Sequence, residues 1–161
     1  SHRWLLEANF ANLNETERRD LQAFLYETNG SLNAFDFPLP GDLGDASSGY
    51  GGSLSTAASG SVGDTSIQMN GSASTNIFKK GDVFRFDGEN KTYMATADAT
   101  NNISGVVTVN FAPALQTSVS SATDVTYSDV AVNVRFDGDS FAFNTDPTYY
   151  STFSLKMIEV L

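Results

Sequence analysis

Residues Lys79 to Leu115 read KKGDVFRFDGENKTYMATADATNNISGVVTVNFAPAL, a run of short alternating segments cut by turn residues. Apolar side chains at every second position belong on one face of a pleated strand. Asp82–Asp87 and Lys91–Thr96 read as two such strands. The tetrad Asp87-Gly88-Glu89-Asn90 between them is a tight hairpin signal. Asn101–Gly105 is a further turn cluster, and Val106–Phe111 a third strand. The stretch is ordered in pattern and carries no catalytic constellation, which points to a structural or binding role.

Working outward, Thr65–Met69 precedes these strands and Asp124–Tyr127 follows them. Five short strands over residues 64–128 suggest a small closed or partly open barrel, a form that removes vulnerable sheet edges. Arg85-Phe86-Asp87-Gly88-Glu89 is echoed by Arg135-Phe136-Asp137-Gly138-Asp139, which reads as shared hairpin chemistry rather than as an internal repeat. Upstream, Gly41–Gly63 holds seven Gly and six Ser. That composition predicts a long loop or linker over residues 41–63.

The two ends of the chain carry a different pattern. From Arg3 to Phe10, Trp4, Leu6, Ala8 and Phe10 alternate with Arg3, Leu5, Glu7 and Asn9, as in a half-buried strand. Asn14 with Glu17 three residues later has capping-box spacing. Leu21, Phe24, Leu25 and Thr28 then mark one helix face, and Gly30 ends it. The expected helix covers residues 15–28. Residues 31–40 return to extended chain, and Pro38 and Pro40 confine that piece to a sheet edge or a strand end. At the far end, Val130–Phe136, Ser140–Asn144 and Thr152–Leu161 read as strands. The last is apolar on both faces, as a central strand would be. Asp137-Gly138 and Asp146-Pro147 fall in the turns between them. The economical arrangement is an outer domain of residues 1–40 and 129–161, with residues 64–128 inserted. An insertion at a surface loop costs little.

Composition narrows the chemistry. The chain has 161 residues, 12% aromatics with 12 Phe, and no cysteine. That excludes a disulfide framework, cysteine-ligated zinc and thiol catalysis. The net charge of −10 argues against a phosphate-binding face, so no nucleic-acid binding is expected. No run approaches the roughly 20 apolar residues of a membrane span, and no secretory signal is evident. The start lacks an initiator Met and opens inside a strand pattern, so the natural N-terminus is expected to lie upstream.

The lone histidine, His2, stands at the very start and is not positioned as a triad base. The acidic residues Asp36, Asp42, Asp45, Asp64, Asp82, Asp87, Asp98, Asp137, Asp139 and Asp146 match no EF-hand spacing. They read as solvated turn residues, with calcium in one loop as the remaining alternative. Gly49-Tyr50-Gly51-Gly52 lacks the lysine and the helix start of a phosphate cradle. We expect no catalytic residue, no cofactor and no metal. The ligand or interface aromatics are Tyr93, with Asn90 and Lys91 beside it, and the pair Tyr149 and Tyr150.

Three blocks, taken in order, resemble tailed-bacteriophage tail structural proteins of the distal tail type. The first is Arg3-Trp4, a Leu…Phe-Leu helix, Gly30 and Phe35-Asp36-Phe37-Pro38-Leu39-Pro40. The second is Lys80-Gly81-Asp82-Val83-Phe84-Arg85-Phe86, then Tyr93, Thr96, Ala97, Gly105, Val107, Val109 and Pro113-Ala114-Leu115. The third is Phe153 to Val160. The blocks span nearly the whole chain, and the Gly41–Gly63 loop departs from the pattern by its Gly/Ser content. The resemblance implies a mainly β protein with one helix: a β-sandwich-like assembly domain carrying an inserted small OB-like β-barrel. It also implies a virion component at the tail tip or baseplate, assembled in the host cytoplasm. Its partners would be copies of itself in a hexameric ring and other tail or baseplate proteins. It implies no enzyme activity. The alternative is a carbohydrate-binding module that recognises a host-surface glycan through the inserted barrel.

Overall fold

The computed structural model describes residues 2–138, 141–145 and 148–161. The strand–helix order is β1 (Leu5–Leu13), α1 (Glu15–Glu27), β2 (Phe35–Pro38), α2 (Gly41–Gly44), β3 (Ser55–Thr56), β4 (Ser66–Asn70), β5 (Asn76–Phe78), β6 (Val83–Phe86), β7 (Thr92–Ala95), β8 (Ala99–Thr100), β9 (Val106–Ala112), β10 (Val125–Thr126), β11 (Ala131–Phe136), β12 (Asn144–Thr145) and β13 (Ser151–Glu159). The protein is mainly β, and α1 is its one long helix. Two compact units share the chain. One is residues 37–132 with His2 and Leu161; the other is residues 3–36 and 133–160.

The unit built from the chain ends is a sheet in the order β1-β13-β11-β2, with β12 also paired to β13. β1 runs antiparallel to β13 from Leu5↔Ile158 to Phe10↔Phe153. The strand expected to be central, β13, does lie between two neighbours. Its inward side chains Phe153, Leu155 and Met157 are fully buried, and so is Glu159. Glu159 Oε2 accepts a hydrogen bond from the Trp4 amide (3.1 Å), and the Glu159 amide donates to Trp4 O (2.9 Å). Helix α1 has the capping box read from sequence. The Glu17 amide donates to Asn14 Oδ1 and the Asn14 amide to Glu17 Oε2, both at 2.9 Å. Its apolar face brings Phe24 edge-on to Phe35 (5.1 Å) and Phe136 (6.2 Å). Helix and sheet together give this unit its layered, sandwich-like build. The positions Asp139, Ser140, Asp146 and Pro147 lie outside the described residues.

The other unit is the barrel. Its six strands run β10-β6-β7-β9-β4-β3, nearly closed, with the pair β5-β8 beside them. That is one strand more than the five of an OB pattern. The extra strand comes from the stretch expected to be a linker. Within Gly41–Gly63, β3 pairs with β4 on one side and meets the chain before β10 on the other through the bridge Ser55↔Asp124, and beyond β3 Gly60 bridges Val119. The Val125 amide donates to Leu54 O (2.9 Å), and the Thr56 amide donates to Thr123 O (2.9 Å). Tyr50 and Leu54 join the core. Small residues allow the approach: a Cβ on Gly60 would lie 2.6 Å from Leu115 Cδ1.

Aromatic rings fill the barrel. Phe84, Phe86, Tyr93 and Phe111 contact one another at centroid distances of 5.3–6.2 Å, mostly edge to face. Such pairs add roughly 0.5–1.5 kcal/mol each beyond the area they bury. Asp82 fixes the entry to β6. Its carboxylate accepts from the Ser47 amide (2.9 Å), Ser47 Oγ (2.6 Å) and the Lys79 amide (2.8 Å). Asp82 is therefore a buried structural acceptor and not the solvated turn residue expected from sequence. Asp82→Ala strands these donors and is expected to cost about 2–3 kcal/mol in urea unfolding, with Asp82→Asn costing less because one acceptor oxygen remains.

Candidate functional site

Tyr93 is the first of the expected surface aromatics, and its place in the fold corrects that expectation. It sits on β7 with its ring inside the barrel and no exposed area. The pleat that turns Thr92 and Met94 one way turns Tyr93 onto Phe84, Phe86 and Phe111. No sugar can stack on it. Only the hydroxyl reaches polar company, donating to Glu89 Oε2 (2.9 Å) and accepting from the Gln116 amide (3.3 Å). Glu89 Oε1 accepts from Thr117 Oγ1. Arg85 Nε donates to Glu89 O (2.6 Å), which pins the hairpin predicted at residues 87–90.

Lys91, named with Tyr93 as a sugar contact, is buried, and its Nζ donates to His2 O (2.6 Å). Asn90 stays exposed. A hollow of about 160 Å³ lies between this hairpin and Gln116–Thr117, closed on one side by Leu161. Its size suits a few solvent molecules rather than a sugar ring. The cluster is a polar plug over an aromatic core, and its chemistry is the locking of one hairpin.

Tyr149 and Tyr150 belong to the other unit and are exposed, at 85% and 46%. Tyr149 has a positive φ of 65°, uncommon for a non-glycine residue. The pair forms accessible aromatic surface just before β13. The same unit has an apolar depression that the sequence pattern missed. About 630 Å³ in volume, it lies at the C-terminal end of α1, lined by Leu25, Tyr26, Leu32, Phe141 and Phe143 with Gln22 on its polar side. Tyr26 (84% exposed) and Leu32 (81%) fall outside the helix period. That departure from period was the one available signal.

Among the described residues no group of three or more His, Asp or Glu is placed to hold a metal ion, and no helix is long and apolar enough to cross a membrane. Burial pushes the Tyr127 phenol above its ordinary value of 10.0, and nearby Tyr50 adds to the rise. Tyr127 donates to Gly52 O, tying β10 to the Gly/Ser-rich stretch.

Two outcomes follow from these contacts. Tyr93→Phe keeps the ring and deletes the hydroxyl, so it should cost about 1 kcal/mol in chemical unfolding and leave the fold intact. For Tyr127 the raised folded value favours the neutral phenol. Its contribution is complete below the unfolded value and is lost as pH rises through the folded one. Wild-type stability should therefore fall above pH ~10, and Tyr127→Phe should flatten that fall in thermal melts across alkaline buffers. No protein-family model matches the chain, and no curated protein is significantly similar to it.

Proposed function

We propose that this protein is a non-catalytic structural component of a phage tail tip or baseplate, joining tail tube to baseplate by ring-forming contacts with copies of itself and with other tail proteins. The observation that carries the reading is architectural. The two ends of the chain meet in one helix-bearing sheet, where β1 pairs with β13 along most of its length, and a separate barrel is made from the chain between β2 and β11. That is the layout implied by the resemblance of residues 3–40, 80–115 and 153–160 to distal tail proteins. The barrel interior is filled by side chains, which suits a rigid structural part.

The carbohydrate reading loses its barrel anchor with the burial of Tyr93 and keeps Tyr149 and Tyr150 of the aromatics expected for it. A ring needs a head-to-tail interface whose rotation closes. Light scattering should give a mass of several subunits, and negative-stain images should show a ring with a central channel. Particles of only one or two subunits at every concentration tried, together with retention on a glycan array that Tyr149→Ala abolishes, would replace the tail reading with the carbohydrate one.

A further inference from the structure

Glycine follows asparagine at two places in the chain, Asn29-Gly30 and Asn70-Gly71. An asparagine side chain loses its amide without any enzyme when the next backbone nitrogen attacks its carbonyl carbon, and a glycine there has no Cβ to hinder the attack. By sequence the two sites are equal. Both asparagines are also exposed, so access to water does not separate them. The main chain around them does.

Asn70 is the last residue of β4 and lies between Ser55 of β3 and Val106 of β9. The nitrogen that would attack, that of Gly71, donates to Gly105 O (2.8 Å). The space beside it is filled: a Cβ on Gly71 would lie 2.7 Å from Asn101 Nδ2 and 2.9 Å from the Tyr50 hydroxyl. Freeing the Gly71 nitrogen therefore means opening the barrel sheet at β4. Opening a paired core strand costs a large share of the stability of a fold.

Asn29-Gly30 lies outside any strand, just past α1. Asn29 (φ 51°) and Gly30 (φ 65°) both take the left-handed conformation in which helices commonly end. The Asn29 amide donates to Tyr26 O (3.1 Å), and Asn29 O accepts from the Leu32 amide at 3.4 Å, beyond the usual range of such bonds. Among the described residues the Gly30 amide meets no acceptor. This turn opens without disturbing a sheet, so its opening cost falls at the low end.

We propose that Asn29 is a site of spontaneous deamidation, at which the protein converts to a more acidic form, while the barrel holds Asn70 intact. Hydroxide takes the proton of the Gly30 nitrogen, and that nitrogen bonds to Asn29 Cγ. The Cγ–Nδ2 bond breaks and ammonia leaves. Water then opens the resulting succinimide at either carbonyl, giving aspartate or isoaspartate. One water enters and one ammonia departs, with no oxidant or cofactor. The new carboxylate stands at the C-terminal end of α1, where the helix dipole is negative and the last turn carries no basic residue to offset it. In the isoaspartate product the main chain is also one methylene longer, in the wall of the apolar depression that Asn29 and Gly30 line with Leu25. The inference goes beyond the tail reading and does not depend on it.

The test follows both sites in the folded protein and in the same chain unfolded in urea, kept warm in mildly alkaline buffer. Cleavage at aromatic residues puts Asn29 and Asn70 on different peptides. Mass spectrometry reads the change from amide to acid, and an isoaspartyl methyltransferase labels the isoaspartate. Folding should leave the rate at Asn29 nearly unchanged and slow Asn70 at least about tenfold, as for an amide freed only by sub-global opening. Asn29→Gln, whose side chain would have to close a six-membered ring, should remove the label from that site. Equal slowing at the two sites, faster loss at Asn70 in the folded protein, or a label unaffected by Asn29→Gln would overturn the assignment.

Discussion

Closure of the barrel rests on a short main-chain contact. Leu54 and Thr56 exchange hydrogen bonds with residues 122–125, and this joins the first strand of the barrel to the last. Without it β3 and β10 would be open edges, and the ring cluster around Phe84 and Tyr93 would lie beneath an unpaired seam. The contact spans 70 residues of sequence, so its entropy cost is that of a long loop. That cost grows only slowly with loop length. The aromatic interior gives the return, because it is shielded from water only when the sheet is closed. Backbone closure and core packing are therefore mutually dependent.

The same contact marks the limit of what could be read from sequence. Strands with full alternation were legible: β4, β6, β7, β9 and β13 fall within a residue or two of the ranges expected from their patterns. So was the capping box of α1, because Asn14 and Glu17 act locally. Gly41–Gly63 was not legible. Its Gly and Ser content is typical of a flexible linker, yet here small residues are needed for close approach, as at Gly60 beside Leu115. Only Leu54 and Thr56, two residues apart and both buried, hint at a strand. Tyr93 fails for a related reason. Alternation separates the two faces of a strand but does not say which one looks into the barrel. Asp82 was misjudged because the donors from Ser47 lie 35 residues away. Non-local hydrogen bonding is invisible to spacing rules.

Polar groups in the barrel are used to fix main chain. Glu89, Tyr93, Gln116 and Thr117 form one chain of hydrogen bonds, and Asp82 organises Ser47 and Lys79. Both carboxylate oxygens of Asp82 and of Glu89 meet donors, as burial requires. Such arrangements give rigidity to loops that would otherwise fray. They also engage Tyr93 and Lys91, two of the residues expected at a sugar site, within the protein.

The sheet formed by the chain ends works under the opposite constraint. A barrel consumes its edges, but an open sheet keeps two, and an unpaired edge invites association. Proline at β2 answers that hazard on one side. On the other, β1 turns the main chain of Leu5, Glu7 and Asn9 away from β13, beside half-buried Leu6, Ala8 and Phe10. The two edges are guarded by different means, Pro38 at β2 and Glu7 with the break in register after Phe10 at β1.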